Sequence, residues 1–347
     1  MERLKNLTLN QIRQWVVEQG EPEFRAEQII KWLYQKRVSS FDEMKNVSGV
    51  FRKKLLESFS IDKLKPLVVL ESKTHDAAKF GFQLSESLHM VECVLLIDDD
   101  RRTACISSQL GCGLGCVFCE TGKMGFIRNL TQDEILGQLI GINDYLISKG
   151  DKLVTNIVFM GMGEALSNYS NFISSLSIIM DNDTFNIGGR KITVSTAGVI
   201  PSIEKLIGEG LNIGLAISLN AYTNRQRDAL MPINNVYPIE QLIAIAKRYF
   251  EATGRRVTFE YVIIDGETDT KEALDALFRM LSGFPCKVNC IPVNPSTASA
   301  IKIPDERTVE RFANELHRRG IAATVRRSKG RDISGACGQL AGKVIVP

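Results

Sequence analysis

The run Gly111-Cys-Gly-Leu-Gly-Cys-Val-Phe-Cys119 places three cysteines at C-x3-C-x2-C spacing in one glycine-rich stretch. Thiolates this close together can bind three corners of one metal cluster. An iron–sulfur cubane usually takes four cysteines. Three cysteines leave one iron open to a substrate or cofactor, which is useful to an enzyme and not to an electron carrier. The stretch therefore predicts a cluster-containing enzyme.

The alternative for the same cysteines is a zinc site that a distant fourth ligand completes. The chain has only three histidines, His75, His89 and His317, and none follows the cysteines at a ligand-like spacing. The C-x3-C-x2-C spacing is the signature of the radical S-adenosylmethionine (SAM) enzymes. We therefore favour the cluster over zinc.

Composition narrows the setting of this enzyme. The chain has 347 residues, of which 44% are hydrophobic, enough for one large domain and a smaller one. No run of about 18 apolar residues exists, so we expect no membrane span. The N-terminus lacks the apolar stretch of a secretory signal, and the cysteines cluster in a loop, which together predict a reducing, cytoplasmic location.

The charge pattern leaves the partner open. A net charge of +3 is too small to establish a nucleic-acid partner. Basic residues nevertheless cluster at 52–54 and again near the C-terminus. The second cluster comprises Arg318, Arg319, Arg326, Arg327, Lys329 and Arg331. Such runs are usually solvated faces, but near a catalytic segment they can hold phosphates.

Hydrophobic periodicity divides the chain into helices, then strands, then an alternation of both. Thr8 is a candidate cap for a first helix that Gly20 ends, and a third helix is predicted for Val50–Phe59. Strands are predicted at 67–70, 79–84, 90–97 and 102–107. After a helix at 131–147, further strands are predicted at 154–160, 191–195, 211–218, 256–263, 286–293 and 322–326. Helices between parallel strands predict an α/β fold, and six such strands are too few for a closed eight-fold barrel.

Several motifs together resemble one family over nearly the whole chain, the RlmN/Cfr group of radical SAM RNA methyltransferases. The motifs are 104–112 (ACISSQLGC), the three-cysteine stretch, 159–166 (FMGMGEAL), 194–198 (VSTAG), 231–234 (MPIN) and 336–340 (ACGQL). The resemblance implies a partial (β/α)6 radical SAM barrel with a small N-terminal helical domain and connecting β-strands. The implied divisions are 1–62 for an RNA-binding accessory domain, 63–104 for the connector, 105–327 for the barrel and 328–347 for a catalytic-cysteine segment.

The resemblance also implies cofactors and catalytic residues. Cys112, Cys116 and Cys119 would hold a [4Fe-4S] cluster that cleaves SAM to a radical. Cys337 matches the cysteine that first accepts a methyl group and then joins it to adenine. Cys105 matches the cysteine that attacks the Cys337 sulfur to release the product through a disulfide, and Glu92 matches the carboxylate that takes the ring proton.

Contacts to SAM are implied in the same way, at the ends of predicted strands where barrel active sites form. The matched residues are Gly163, Glu164, Ser195, Ser218, Leu219, Asn220 and Asn294. Glycine lets the backbone approach a ligand, and a carboxylate can meet the α-ammonium group of SAM. Asn220 stands where the family usually has a histidine. By contrast, Cys93, Cys286 and Cys290 are interpreted as core residues.

Two alternatives stay open at this stage. The favoured product is 2-methyladenosine in 23S rRNA, and by analogy in tRNA, whereas Cfr-like enzymes methylate C8 of the same rRNA adenosine. A non-enzymatic RNA-binding protein or redox sensor with a metal cluster would explain the basic clusters but not Cys105 and Cys337. The family further implies an electron donor such as flavodoxin and a monomeric enzyme.

Overall fold

The computed structural model describes residues 1–84, 90–294 and 301–342. His89 and the end of the predicted catalytic-cysteine segment, 343–347, lie outside the described residues. Within the described ranges, no helix is long and apolar enough to cross a membrane.

The N-terminal residues form a small helical unit, as predicted. Its elements are β1 (Glu2–Arg3), α1 (Leu9–Glu18), α2 (Phe24–Tyr34), α3 (Gly49–Ser58) and β2 (Phe59–Ser60). Thr8 caps α1 reciprocally with Gln11, so the predicted helix start is confirmed. The two short strands, which were not predicted, pair in parallel and bring the two ends of the unit together.

One ten-stranded sheet forms the centre of the molecule. Its strands are β3 (Pro66–Glu71), β4 (Ala77–Gln83), β5 (Met90–Ile97), β6 (Arg102–Cys105), β9 (Asn156–Phe159), β10 (Ile192–Thr196), β11 (Gly214–Ser218), β12 (Val257–Ile263), β13 (Cys286–Pro292) and β14 (Ala322–Val325), with β7 (Gln109–Gly111) and β8 (Phe126–Asn129) in a separate hairpin. The order is β14-β13-β12-β11-β10-β9-β6-β5-β4-β3. In the described residues β14 does not pair with β3, so the barrel is partial, as predicted.

Helices connect the parallel strands and cover the sheet. They are α4 (Glu120–Lys123), α5 (Gln132–Ser148), α6 (Tyr169–Met180), α7 (Ile200–Gly208), α8 (Asn224–Leu230), α9 (Ile239–Thr253), α10 (Lys271–Leu281) and α11 (Glu306–Arg318). Side-chain caps fix the starts of several of them. Thr131 forms a capping box with Glu134 at α5, and Thr270 and Asp305 cap α10 and α11.

The strand β6 differs from its expected role as a connector. It pairs antiparallel with β5 but parallel with β9, with Cys105 opposite Val158. The parallel set therefore contains β6 besides the six strands predicted after the cysteine stretch. The strands of the predicted connector and of the predicted barrel share one sheet, and the division of the chain at 63–104 stays a prediction.

The hairpin of β7 and β8 was not predicted, and it encloses the cysteine stretch. Its strands pair across Gln109–Asn129 and Leu110–Arg128. Gly111 has a φ of +74°, and a Cβ there would lie 1.9 Å from the carbonyl oxygen of Gly125. Only glycine allows the hairpin to close at this point.

A buried ion pair attaches the N-terminal unit to α5. Lys5 Nζ lies 3.0 Å from Asp133 Oδ1, both side chains are 2% exposed, and Arg3 Nη1 lies 2.6 Å from Asp133 Oδ2. Asp144, on the same helix, pairs instead with Arg37 and Lys63 and is 38% exposed. Water screens the second group of charges and not the first.

We therefore expect Asp133→Asn to destabilise the protein by about 3 kcal/mol, because it leaves the Lys5 ammonium buried without its partner. The matched variant Asp144→Asn should cost less than about 1 kcal/mol, because its ion pairs are partly exposed. Urea unfolding followed by circular dichroism measures both. Equal losses for the two variants would contradict the structural role of the buried pair.

Candidate active site

The central cavity lies at the carboxyl ends of the parallel strands, where barrel active sites form. The loop after β9 contributes Gly163 and Glu164, and β10 and β11 contribute Ser195 and Ser218 near their ends. Asn294 lies two residues beyond the end of β13. Gly163 has a φ of +90°, and a Cβ there would lie 2.3 Å from Gln109 Cβ, so the loop packs against the chain that leads into β7.

All three cysteines of the 111–119 stretch line this cavity. Burial raises the pKa of Cys112 to about 11 and also raises the pKa values of Cys116 and Cys119. The chain's eight cysteines form no disulfide. The thiols are therefore neutral on their own, and a metal that displaces their protons would overcome the cost of ionising them.

The donor set fits an iron–sulfur cluster better than a zinc ion. No group of three or more His, Cys, Asp or Glu side chains among the described residues is arranged around a single metal ion. Ligands to one zinc all lie about 2.3 Å from it if they are thiolates, whereas each cysteine of a cubane binds a different iron. The three thiols that line this cavity can each bind a different iron, as the second arrangement requires.

Glu164 is a buried carboxylate with no cationic partner among the described residues. Its side-chain oxygens accept hydrogen bonds from the backbone N–H groups of Ala197 at 2.8 Å and Leu166 at 3.2 Å. No lysine, arginine or histidine in the described part of the chain lies within ion-pair distance. Burial raises the pKa of Glu164 to about 7, although these N–H donors favour the charged form. A bound ammonium group would restore the charge.

Two of the buried polar atoms that have no hydrogen-bond partner in the described residues belong to residues of this cavity. They are Asn294 Oδ1 and Glu260 Oε2, and both residues line the central cavity. The Asn294 amide nitrogen, by contrast, donates to the carbonyl oxygen of Cys337 at 3.0 Å. Because buried polar groups are normally satisfied, these atoms indicate a polar ligand.

Leu219 and Asn220 directly follow β11, and their side chains lie in different surroundings. Asn220 lines the cavity, but its Oδ1 accepts from the N–H of Val262 at 3.0 Å and its Nδ2 lies 3.3 Å from Met231 Sδ. Leu219 is fully buried in the main core and is not among the lining residues. Only its backbone is close to the site, and its carbonyl oxygen accepts from Arg227.

Arg227 clamps the strand ends that carry these residues. Its guanidinium is fully buried and donates to the carbonyl oxygens of Ala197 at 2.6 Å, Ser218 at 3.0 Å and Leu219 at 3.1 Å. No carboxylate in the described residues lies within ion-pair distance of it, and burial lowers its pKa to about 10. The clamp fixes β10 and β11 relative to each other.

Cys337 lies where the central cavity meets an adjoining cavity of about 480 Å³. The adjoining cavity contains Cys105, and both cavities are lined by Cys119 and Arg326. Burial raises the pKa of Cys105 to about 12, while the Arg326 guanidinium acts in the opposite direction. The two predicted catalytic cysteines thus line the same space.

Glu92 lines neither cavity among the described residues. It is buried on β5, its Oε1 lies 3.0 Å from Lys79 Nζ, and its Oε2 accepts from the N–H groups of Ala341 and Gly342. The carboxylate therefore lies next to the Cys337 segment, and both of its oxygens already have partners.

Four charged residues near the site were not predicted to act there. Lys79 interrupts an apolar strand, and Arg227 lies on a short helix without a motif of its own. Arg326 follows β14 directly, so the rule that site residues follow parallel strands identifies it, yet we had assigned it to a basic cluster. Glu260 pairs with it at 3.6 Å.

The C-terminal basic cluster is largely engaged in ion pairs. Arg319 pairs with Asp275, Arg327 with Glu306 and Glu310, and Lys329 with Asp98. Most of these side chains are partly exposed, so the pairs are weak and a phosphate can compete for the cations. The cluster alone does not identify a nucleic-acid surface.

Comparison with known proteins places this geometry in a family. Residues 3–61 match the ribosomal RNA large subunit methyltransferase N-terminal domain, and residues 106–278 match the radical SAM superfamily, whose members use a [4Fe-4S] cluster and SAM. The crystal structure of a radical SAM methyltransferase from Sphaerobacter thermophilus superposes with a TM-score of 0.94 at 39% identity, covering 99% of this chain and all of that one.

Curated relatives match over almost their full length. The dual-specificity RNA methyltransferase RlmN of Desulfosudis oleivorans is 42% identical, with 99% of this chain and 91% of that protein covered. The enzyme of the same name from Desulfotalea psychrophila is 40% identical, with 97% and 94% covered. The probable RlmN of Dictyoglomus turgidum is 43% identical, with 98% and 97% covered. This chain therefore belongs to the RlmN family of radical SAM RNA methyltransferases.

Proposed function

We propose that this protein methylates C2 of an adenosine in 23S rRNA and in tRNA, with a methyl group carried on Cys337. The observation that carries the proposal is the position of Cys337, between a cavity lined by Cys112, Cys116 and Cys119 and a cavity that contains Cys105. A carrier cysteine needs access to both. The near-complete match to relatives named dual-specificity RNA methyltransferases supports RNA as the substrate.

The cofactors fit the central cavity. Cys112, Cys116 and Cys119 are proposed to hold the [4Fe-4S] cluster, and Glu164 the α-ammonium group of SAM. Ser195, Ser218, Asn220 and Asn294 supply further polar contacts, and Gly163 allows a close backbone approach. Leu219 contributes only through its backbone. When bound, the cluster and SAM supply the one-electron chemistry that activates the methyl carbon, because C2 of adenine is not a nucleophile.

The chain's own residues carry the remaining steps. The Cys337 thiolate accepts a methyl group from SAM by nucleophilic displacement. After the carrier carbon has joined C2, the Glu92 carboxylate takes the ring proton. The Cys105 thiolate then attacks Cys337 Sγ and forms a Cys105–Cys337 disulfide. The bond from that sulfur to the carrier carbon breaks, its electron pair stays on the carbon, and a proton completes the methyl group as the base leaves.

The setting of the reaction follows from the family resemblance. We propose a cytoplasmic, monomeric enzyme that receives electrons from a donor such as flavodoxin. The helical unit at 1–62 is proposed to help to hold RNA. Its match to a ribosomal RNA methyltransferase N-terminal domain over residues 3–61 supports this assignment.

The cluster prediction concerns stoichiometry. Protein reconstituted without oxygen should bind about four irons and four sulfides per chain, as a cubane requires. Cys112→Ala, Cys116→Ala and Cys119→Ala should each lose the cluster and its visible absorbance. Cys286→Ala is the matched control, since Cys286 lies at the opposite end of its strand from the cavity. One zinc per chain with no visible absorbance would overturn the proposal.

The ring position is tested on the RNA itself. Mass spectrometry of digested 23S rRNA and tRNA, from cells with and without the gene, should show 2-methyladenosine that depends on the gene. The Gly-Glu-Ala-Leu run at 163–166 is closer to Cfr-like enzymes, and 8-methyladenosine would establish that alternative. Absence of both nucleosides would leave the RNA-binding or sensor hypothesis.

Alanine variants of the two proposed catalytic cysteines should stop the reaction at different steps. Cys105→Ala should accumulate a covalent complex of Cys337 and RNA, because attack on the base precedes the release that Cys105 performs. A denaturing gel with labelled RNA should show a band that resists thiol reductants, since a thioether is not a disulfide. Cys337→Ala should form neither adduct nor product, although it still cleaves SAM.

Cys93→Ala is the control for this experiment. Cys93 is buried on β5, the strand next to Cys105, but its neighbour Val94 is the residue opposite Cys105, so Cys93 faces the other side of the sheet. The control should form product without an adduct. Full turnover of cluster-loaded Cys105→Ala, with no crosslinked band, would refute the role of Cys105.

A further inference from the structure

Lys79 and Glu92 form an ion pair that is almost completely buried. The distance from Lys79 Nζ to Glu92 Oε1 is 3.0 Å, and each side chain is 6% exposed. Removing two charges from water costs several kcal/mol per ion, and their attraction compensates only in good geometry. A pair of this kind is weak support for stability alone, so its position in the molecule needs another explanation.

The register of the sheet puts this pair on the face that carries the catalytic cysteine. Lys79 lies opposite Val94, and Gly81 lies opposite Glu92, in the antiparallel ladder of β4 and β5. Val94 in turn lies opposite Cys105 and lines the adjoining cavity. Because side chains alternate along a strand, Lys79, Glu92 and Cys105 all belong to one face.

Both partners of the pair also contact the segment that carries Cys337. Glu92 Oε2 accepts hydrogen bonds from the N–H groups of Ala341 at 2.8 Å and Gly342 at 3.0 Å. On the other side of the cysteine, Lys79 Nζ lies 3.5 Å from the carbonyl oxygen of Ser334. The pair therefore holds the chain on both sides of Cys337.

The opposite side of the same segment rests on the cysteine stretch. The N–H of Glu120 donates to the carbonyl oxygen of Gly338 at 2.8 Å, and Thr121 Oγ1 donates to that of Leu340 at 2.6 Å. These contacts approach the segment from α4, directly after the cysteine stretch, whereas the ion pair approaches it from the sheet. Residues 334–342 contain no helix or strand of their own, so these contacts, together with the Asn294 bond to the Cys337 carbonyl oxygen, position the segment and its thiol.

We propose that Lys79 is a positioning residue, which holds the Glu92 carboxylate in place so that the two together hold the Cys337 segment between the sheet and the start of α4. Without Lys79, the buried carboxylate has lost its ion-pair partner and turns away from this site, so that its hydrogen bonds to the N–H groups of Ala341 and Gly342 are lost. The effect on RNA methylation rests on the proposed function. The effect on the segment does not.

The test compares Lys79→Met with Lys79→Arg and with Lys73→Met in the cluster-loaded enzyme. Lys73 is an exposed lysine, and its contact with this segment is a backbone N–H bond to Asp332 that the substitution keeps. Hydrogen exchange with mass spectrometry should show the amides at 341 and 342 exchanging at least about tenfold faster in Lys79→Met. Lys79→Arg should lie in between, since it keeps the charge, and Lys73→Met should match the wild type.

Kinetics provide a second measurement. Lys79→Met should lower kcat for RNA methylation about tenfold or more, with KM for RNA little changed, because the segment and not the RNA surface is disturbed. Lys79→Arg should recover part of kcat. A wild-type exchange pattern at 341 and 342 in Lys79→Met would overturn the proposal, as would a fall in kcat that Lys79→Arg does not relieve.

The double variant Lys79→Met/Glu92→Gln distinguishes a general folding defect from the loss of segment positioning. Replacing both charges removes the stranded carboxylate, so the melting temperature should recover towards the wild-type value. Exchange at 341 and 342 should stay fast, and its return to the wild-type rate would overturn the proposal. If wild-type protein makes no methylated RNA while exchange still depends on Lys79, the proposed function fails and the positioning role stands.

Discussion

The parallel pairing of β6 with β9 is the constraint on which the rest of the architecture depends. Through this pairing, the antiparallel strands β3 to β6 and the parallel strands β9 to β14 form one sheet. It also places Cys105 beside Val158, next to the loop that carries Gly163 and Glu164. The antiparallel strand that ends at Cys105, the proposed second catalytic cysteine, thereby becomes the first of the parallel strands, and the thiol lines the cavity that adjoins the central one. A shift of β6 by one residue would turn Cys105 to the opposite face of the sheet.

The buried charged side chains at this edge of the sheet are explained better by ligand binding than by a contribution to the stability of the fold. In the described residues, no cation lies within ion-pair distance of Glu164 and no carboxylate lies within ion-pair distance of Arg227. Each instead makes hydrogen bonds to backbone groups near the ends of β10 and β11, and both bond to Ala197. Charges held in this way are preorganised, because the backbone fixes their direction before any ligand arrives. The cavity is therefore built to receive a molecule that carries charges of its own.

Local signals predicted the fold well, and long-range contacts explain what was missed. Thr8 and Thr131 act within four residues of themselves, so the helix starts were accessible from the sequence. The cysteine spacing identified three residues that line the central cavity. The family resemblance supplied six more that line it: Gly163, Glu164, Ser195, Ser218, Asn220 and Asn294. Lys79 was missed because its partners, Glu92 and Ser334, are 13 and 255 residues away in the chain. Periodicity also cannot show that Leu219 faces the core while its neighbour faces the cavity.

The Cys337 segment illustrates how an irregular chain can hold a reactive group accurately. In the proposed reaction the same thiol must meet a methyl donor, an adenine and finally Cys105, and no helix or strand could present it to all three. Glu92 accepts a hydrogen bond from the segment and Asn294 donates one to it, so the two fix it at separate points. Glu92 belongs to a strand of the sheet, and Asn294 lies two residues beyond the end of another. Such single contacts open at lower cost than a helix or a ladder unfolds. The segment can thus be well placed at rest and still able to move once the carrier carbon has joined the RNA, because releasing it breaks a few bonds and leaves the sheet intact.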